Sequence, residues 1–299
     1  MKKMLQSRLL TTVCLSTLAG CAPEESDTTT APVEESVAVT QQAEQTYNPG
    51  SGWNQVWADE FNGDSLNTNN WTALKSNWDP VTNNCNFGTG ELEYPRAQNV
   101  TVANGMLTIT AERTGDKPMD SHCTSFGGRS FYSGRIHTKG KVERKYGKIV
   151  ASIKVPGGFG LWPAFWTLGA NIGQVGWPKC GEIDIQEWHS GSPSWMKVAT
   201  HWAGGDWGAG ADAGTSLAGT FHVYEVEWNE NKITFRVDGK VANSVFTNGK
   251  AEFMSQHYLI LNLALGGVWY NSPAPAAVDL PAGEKKTLQV QWIRWYQKA

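Results

Sequence analysis

The sequence predicts an all-β domain, a β sandwich of two antiparallel sheets. Three observations point there. After a polar N-terminal stretch, about 250 residues remain, a length that suits one sandwich. The chain carries 32 glycines and 15 tryptophans but few stretches with helical period. Short alternating runs recur between turn signals, as strands do. Taken in order, strands are expected at 106–111, 148–155, 183–187, 197–201, 222–228, 233–237, 258–265 and 288–295. Asn104-Gly105 and Asp238-Gly239 are hairpin-type turns. No repeat of solenoid or propeller period is present.

The domain begins near residue 51. Residues 1–20 read as a secretory signal: Lys2, Lys3 and Arg8 precede an apolar run from Leu9 to Leu18. Leu18-Ala19-Gly20-Cys21 is similar to the lipobox of bacterial lipoproteins. Cleavage before Cys21 and acylation of its thiol would anchor the chain in a membrane without a spanning helix. A plain secretory signal with an incidental cysteine is the simpler alternative. Ala22 after the cysteine implies outer-membrane delivery in a Gram-negative host, at the cell surface or facing the periplasm.

Residues 21–50 are expected to be a disordered acidic tether. Thr, Glu, Gln, Ser, Ala and Val dominate there, and such a composition cannot bury enough apolar surface to fold. Three of the 25 basic residues fall in the signal and six of the 28 acidic ones in the tether, leaving the catalytic-size domain 51–299 balanced at 22 each. That balance argues against a nucleic-acid partner and against a strongly sulfated polymer.

Of five cysteines, Cys14 leaves with the signal and Cys21 carries the expected lipid. Cys85, Cys123 and Cys180 remain, so the domain holds at most one bridge. Cys85 with Cys123 is the expected pair, since both sit in Asn-, Gly- and Ser-rich segments. The spacing fits no zinc motif. Cys180 is expected to be a buried, inert thiol.

The chemistry concentrates in Gly181-Glu182-Ile183-Asp184-Ile185-Gln186-Glu187-Trp188. Alternation puts Glu182 and Asp184 on one strand face and Ile183 and Ile185 on the other. Glu187 arrives one residue out of phase. A β-bulge would restore it, because a bulge inserts one extra residue. Three like charges on one face repel and cost stability unless they are used. Two carboxylates facing one cleft, with a third between them, are the equipment of retaining glycoside hydrolysis.

Tryptophan crowds the neighbouring sequence at Trp162, Trp166, Trp177, Trp188, Trp202 and Trp207. A sugar ring offers an apolar face and polar edges, which an indole face with nearby amides and carboxylates suits. Trp162 and Trp177, beside Pro and Gly in apparent loops, are expected to line a cleft. Trp228, Trp292 and Trp295, in alternating strands, are expected in the core.

These residues resemble family-16 glycoside hydrolases, and within them the laminarinase-like endo-β-1,3-glucanases. The likeness runs from about Trp53 to Gln297. It includes Trp57-Ala58-Asp59-Glu60-Phe61, Gly90-Glu91-Leu92-Glu93-Tyr94, Tyr132-Ser133-Gly134-Arg135-Ile136-His137, Trp162-Pro163-Ala164-Phe165-Trp166, Gly181 to Glu187, and Leu261-Asn262-Leu263-Ala264-Leu265-Gly266-Gly267. The resemblance implies a jelly-roll β-sandwich with a concave glycan-binding cleft. It implies Glu182 as nucleophile, Glu187 as general acid/base and Asp184 between them, tuning both. Trp162, Trp166 and Trp177 would line the donor side, His201 would position substrate near the acid/base, and Arg135 would meet a sugar hydroxyl or a carboxylate.

The sequence also departs from the family. Gln186 and Trp188-His189-Ser190 surround the last glutamate, Thr89 replaces an expected cleft Asn, and Val268-Trp269-Tyr270-Asn271 replaces the usual turn. Gln291 stands where many relatives place an Asp near a structural calcium. A carbonyl-rich calcium site is compatible with the sequence; the chemistry itself implies no required cofactor. The leading expectation is a monomeric endo-glycosidase acting on β-1,3-glucan, with mixed-linkage glucan as an extension. The altered loops keep open a galactan such as agarose or porphyran, and the tether and Trp content a glycan-binding lipoprotein without turnover.

Overall fold

Alternation in Met106–Arg113 buries Leu107, Ile109 and Ala111 completely while the threonines between them stay half-buried. The same period runs through Lys232–Val237 of the protein, whose structure is a computed structural model describing residues 47–190 and 193–299. The signal, Cys14, Cys21 and nearly all of the tether lie outside the described residues.

Two large sheets form the domain. One orders its strands as Lys240–Phe246, Lys232–Val237, Phe221–Trp228, Gly147–Lys154, Lys285–Lys298, Met106–Arg113, Phe131–Ser133 and Glu93–Pro95. Trp53–Asp59 also pairs with Lys285–Lys298, and Val100–Ala103 with Met106–Arg113. The other sheet runs Gly205–Asp212, Trp195–Trp202, Glu182–Trp188, Leu161–Gly169, His257–Leu265, Arg135–His137 and Thr72–Ala73. Pairing is antiparallel except that Glu93–Pro95 runs parallel to Phe131–Ser133. Parallel neighbours need a long crossover, which the hairpin Val100–Arg113 and the loop after it supply.

The core lies between the sheets. Ile149, Ile153, Tyr224, Val226, Ile293 and Trp295 from the first meet Phe165, Ile183, Ile185, Leu259, Leu261 and Leu263 from the second. Trp228 and Trp292 are buried as expected. So is Trp188, while Trp207 stacks on Phe235 and Trp202 packs edgewise on Phe253. These three of the crowded tryptophans therefore serve packing.

Of the twenty strands among the described residues, twelve escaped the sequence reading, including Trp53–Asp59, Lys240–Phe246 and two that bear on the site. Leu161–Gly169 is a central strand, so Trp162 sits on a strand and not in a loop. Its Pro163 spoke against a central strand. The pairing with Glu182–Trp188 starts one residue later, at Ala164 opposite Glu187, so the missing N–H breaks no rung of it. The edge strand Gly205–Asp212 was hidden by its glycines. At Gly210 the reason for glycine is spatial: a Cβ would fall 2.2 Å from the Trp195 indole nitrogen.

Cys85 and Cys123 form a disulfide, and Cys180 is a buried free thiol. Burial pushes the Cys180 thiol up to about 11, in keeping with an inert residue.

Candidate active site

The acidic strand Glu182–Trp188 carries the expected irregularity. Against Trp195–Trp202, Asp184 faces Ala199 and Glu187 faces Lys197, so three steps on one strand match two on the other. Against Leu161–Gly169, Asp184 faces Trp166 and Gln186 faces Phe165, leaving Ile185 as the extra residue. This bulge keeps Ile183 and Ile185 in the core and brings Glu182, Asp184 and Glu187 into one cleft of about 410 Å³. The strand begins on Gly181, whose φ is +82° and whose Cβ would meet the Glu252 carbonyl at 2.8 Å. Only glycine adopts that conformation in so little space.

The cleft lies on the sheet face opposite the core. Alternation on Leu161–Gly169 turns Leu161 and Phe165 inward and Trp162, Ala164, Trp166 and Leu168 toward the cleft. Arg135 and Asn262 join from neighbouring strands, and Phe87, Thr89 and Glu91 from the segment after the disulfide-bonded Cys85.

Each reacting carboxylate has an indole donor. Trp177 Nε1 donates to Glu182 Oε2 at 2.6 Å, and Trp162 Nε1 donates to Glu187 Oε1 at 3.1 Å. Lys197 Nζ stands 4.0 Å from Glu187 Oε2, and His201 Nε2 stands 3.3 Å from Asp184 Oδ2. Trp166 Nε1 donates instead to Asn262 Oδ1 at 2.7 Å.

Burial pushes all three acids above their ordinary values, and their mutual repulsion adds to it. Glu187 is raised to about 7, chiefly by desolvation, while Lys197 and the Trp162 N–H pull the other way. Asp184 is only 3 % exposed, and Glu182 beside it receives an indole N–H. Glu182 and Asp184 share a hydrogen bond that raises Glu182 and lowers Asp184, so the two titrate together.

The fold adds the surroundings of two further residues. His201 lies opposite Glu182 in register and against Asp184, tilted 5.9 Å from the Trp177 ring. It adjoins the acids rather than lining the open cleft. Among the described residues Arg135 pairs with no carboxylate; its guanidinium lies 4.1 Å from the Phe87 ring centroid and 4.9 Å from that of Trp166, a cation–π arrangement on the cleft wall. The sequence reading also missed Asn262, Phe87 and Glu91 as cleft residues, and Lys197 beside Glu187. Asn262 and Glu91 stood inside quoted motifs, and only the fold shows that they face the acids. The ligand atoms of Glu182, Asp184 and His201 lie within 4.8 Å of one another. Such a set can bind a cation in principle, but here all three belong to the acid cluster.

Residues 93–294 match the family model described as glycosyl hydrolases family 16. The chain is 35% identical over 272 residues to glucan endo-1,3-beta-glucosidase A1 of Niallia circulans, which covers 83% of this chain and 38% of that one. It is 30% identical over 264 residues to a beta-glucanase of Rhodothermus marinus, 82% of this chain and 85% of the other. The chain thus spans well under half of the first relative and most of the second. Among solved structures, the laminarinase catalytic domain of Thermotoga maritima superposes with a TM-score of 0.73 at 33% identity, over 83% of this chain and 99% of that one. The bulged acidic strand, the sandwich that carries it and these matches lead to one conclusion: the chain belongs to glycosyl hydrolase family 16.

Proposed function

We propose that this protein is a retaining endo-glycosidase that hydrolyses β-1,3-glucan, with mixed-linkage glucan as a second substrate. The observation that carries the reading is the bulge that brings Glu182 and Glu187 to one cleft with an indole donor on each. The β-1,3-glucan specificity rests on the likeness to the Niallia circulans glucan endo-1,3-beta-glucosidase and to the Thermotoga maritima laminarinase domain.

In the first step Glu187, protonated because burial raises it to about 7, gives its proton to the glycosidic oxygen. Glu182 attacks the anomeric carbon, so the C1–O bond breaks as a C1–carboxylate ester forms. Trp177 holds Oε2 of Glu182, which leaves Oε1 to attack. In the second step Glu187, now ionised, takes a proton from water. The resulting oxygen displaces Glu182, and the anomeric configuration is retained. Asp184, hydrogen-bonded to Glu182, orients the nucleophile and titrates together with it. Trp162, Trp166 and Arg135 line the sugar path. The reaction runs on carboxylates and calls for no cofactor. A structural calcium near Gln291 is not part of this reading; the Gln291 side-chain oxygen accepts from the Ser152 hydroxyl at 2.7 Å.

We further propose that the chain is exported, cleaved before Cys21 and lipid-anchored in an outer membrane. The support is the charged and apolar N-terminus ending in Leu18-Ala19-Gly20-Cys21. Cys21→Ala should release the protein from the membrane fraction, and a variant that stays membrane-bound sinks the anchor.

The function is tested by incubating the protein with laminarin, lichenan, agarose and carrageenan. Reducing ends should appear from laminarin, and NMR of the first products should show the β anomer. Inversion, or silence on every glucan, overturns the reading.

A further inference from the structure

Beside the catalytic cleft lies a second hollow of about 620 Å³. Trp78, Asn83, Asn84, His122, Phe126 and Val268 form most of its lining, which contains no carboxylate, lysine or arginine. Asn84 and Gly88 line both hollows, so the two are contiguous. Phe126 is 56% and Val268 59% exposed. Single exposed apolar residues need no explanation, but two on the rim of one concavity with an indole do.

The walls are held in place before anything binds. Trp78–Asp79 pairs with Asn84–Cys85 as a small ribbon, and Cys85 is bonded to Cys123 on the facing turn Ser121–Phe126. Asp120 draws the same two segments together: its carboxylate accepts from the Ser76 hydroxyl at 2.5 Å and from the His122 backbone N–H at 2.9 Å. The Trp78 and His122 rings stack with centroids 3.9 Å apart and planes 11° apart. Val268 N–H donates to the Thr89 carbonyl at 2.8 Å, tying the third wall to the same segment.

We propose that this hollow is a remote subsite that holds further sugar residues of the same neutral glycan chain whose bond is cut at Glu182 and Glu187. The inference rests on the function proposed above. Aromatic and aliphatic surfaces interleaved with amides match the apolar face and hydroxyl edge of a pyranose. The lining carries no acidic or basic side chain apart from His122, which suits an uncharged chain. Contiguity with the cleft makes the occupant a continuation of the substrate. Walls fixed by a disulfide and by Asp120 lower the ordering cost of binding.

The test compares kcat/KM of the full chain, Trp78→Ala and Phe126→Ala on β-1,3-glucan oligosaccharides of graded length. The ratio of kcat/KM for the longest over the shortest cleaved oligosaccharide should fall roughly tenfold in each variant, through KM. Phe126, being exposed, can be changed without disturbing the fold, so it decides the matter if Trp78→Ala is unstable. An unchanged ratio in Phe126→Ala, with the unsubstituted chain active, overturns the subsite and leaves the proposed function standing. An unsubstituted chain that cuts no glucan overturns the function, and the subsite with it.

Discussion

Trp162 Nε1 donates to Glu187 Oε1 at 3.1 Å, from a strand whose next cleft-facing residue, Ala164, lies directly opposite Glu187. The indole therefore touches both the acid and the cleft where substrate would lie. It stabilises the ionised form of Glu187 against the burial that raises it.

The alkaline limb of the pH–rate profile should follow. An acid that must start protonated loses activity as pH rises through its pKa, here about 7. Trp162→Phe removes a donor and Lys197→Met removes a cation 4.0 Å away, so both should move the limb to higher pH. A shift to lower pH in kcat/KM would show that Glu187 does not set the limb.

Glu182→Gln and Glu187→Gln should each lower kcat on laminarin by about 10³-fold or more. The two are separated by an aryl glycoside with a good leaving group. Glu187→Gln should still form the covalent intermediate on it, while Glu182→Gln should not. Mass spectrometry of the trapped protein reads the difference, and equal labelling of both variants contradicts the roles.

The same burial gives an opposite sign for stability. A carboxyl whose pKa is raised on folding favours the native state at low pH. That contribution is lost as pH climbs from the unfolded value of 4.5 toward about 7. Glu187→Gln should therefore raise Tm at pH 8 and change it much less at pH 4, by calorimetry. The gain at pH 8 is on the order of 1–3 kcal/mol.

Replacing both Cys85 and Cys123 by Ser opens a loop with a sequence separation of 38. Chain entropy sets the expected loss at roughly 3–4 kcal/mol. A reducing agent should lower the Tm of the unsubstituted protein and leave that of the double variant unchanged. Native Cys180, buried and raised to about 11, should stay inert to thiol reagents until the protein unfolds.

Gly181→Ala should cost activity as well as stability. Its φ of +82° and the Glu252 carbonyl in the path of a Cβ force a backbone shift immediately before Glu182. A variant with normal kcat and Tm would show that the strand start tolerates movement.

Short alternating runs located eight strands, although His257–Leu265 proves buried on both faces. Leu161–Gly169 was missed, since its outward face is lined with tryptophans that enter a cleft rather than water. The one-residue slip at Glu187 was visible in the letters, because a period of two makes any extra residue conspicuous. His201 and Arg135 were identified by type and neighbourhood, but not the groups they pack against. Which atom a side chain meets depends on strand register and on rings brought from elsewhere in the chain, such as Phe87.

By itself, then, the sequence determined a β sandwich, the acidic strand and its bulge, and the inventory of acids and indoles, because these depend on residues a few positions apart. Tertiary structure alone decided which indole faces which acid, how far burial raises Glu187, and that a disulfide-held hollow adjoins the cleft. Those depend on groups from five to well over a hundred residues apart in the chain. Their distances are set by sheet order and packing, which no local pattern encodes.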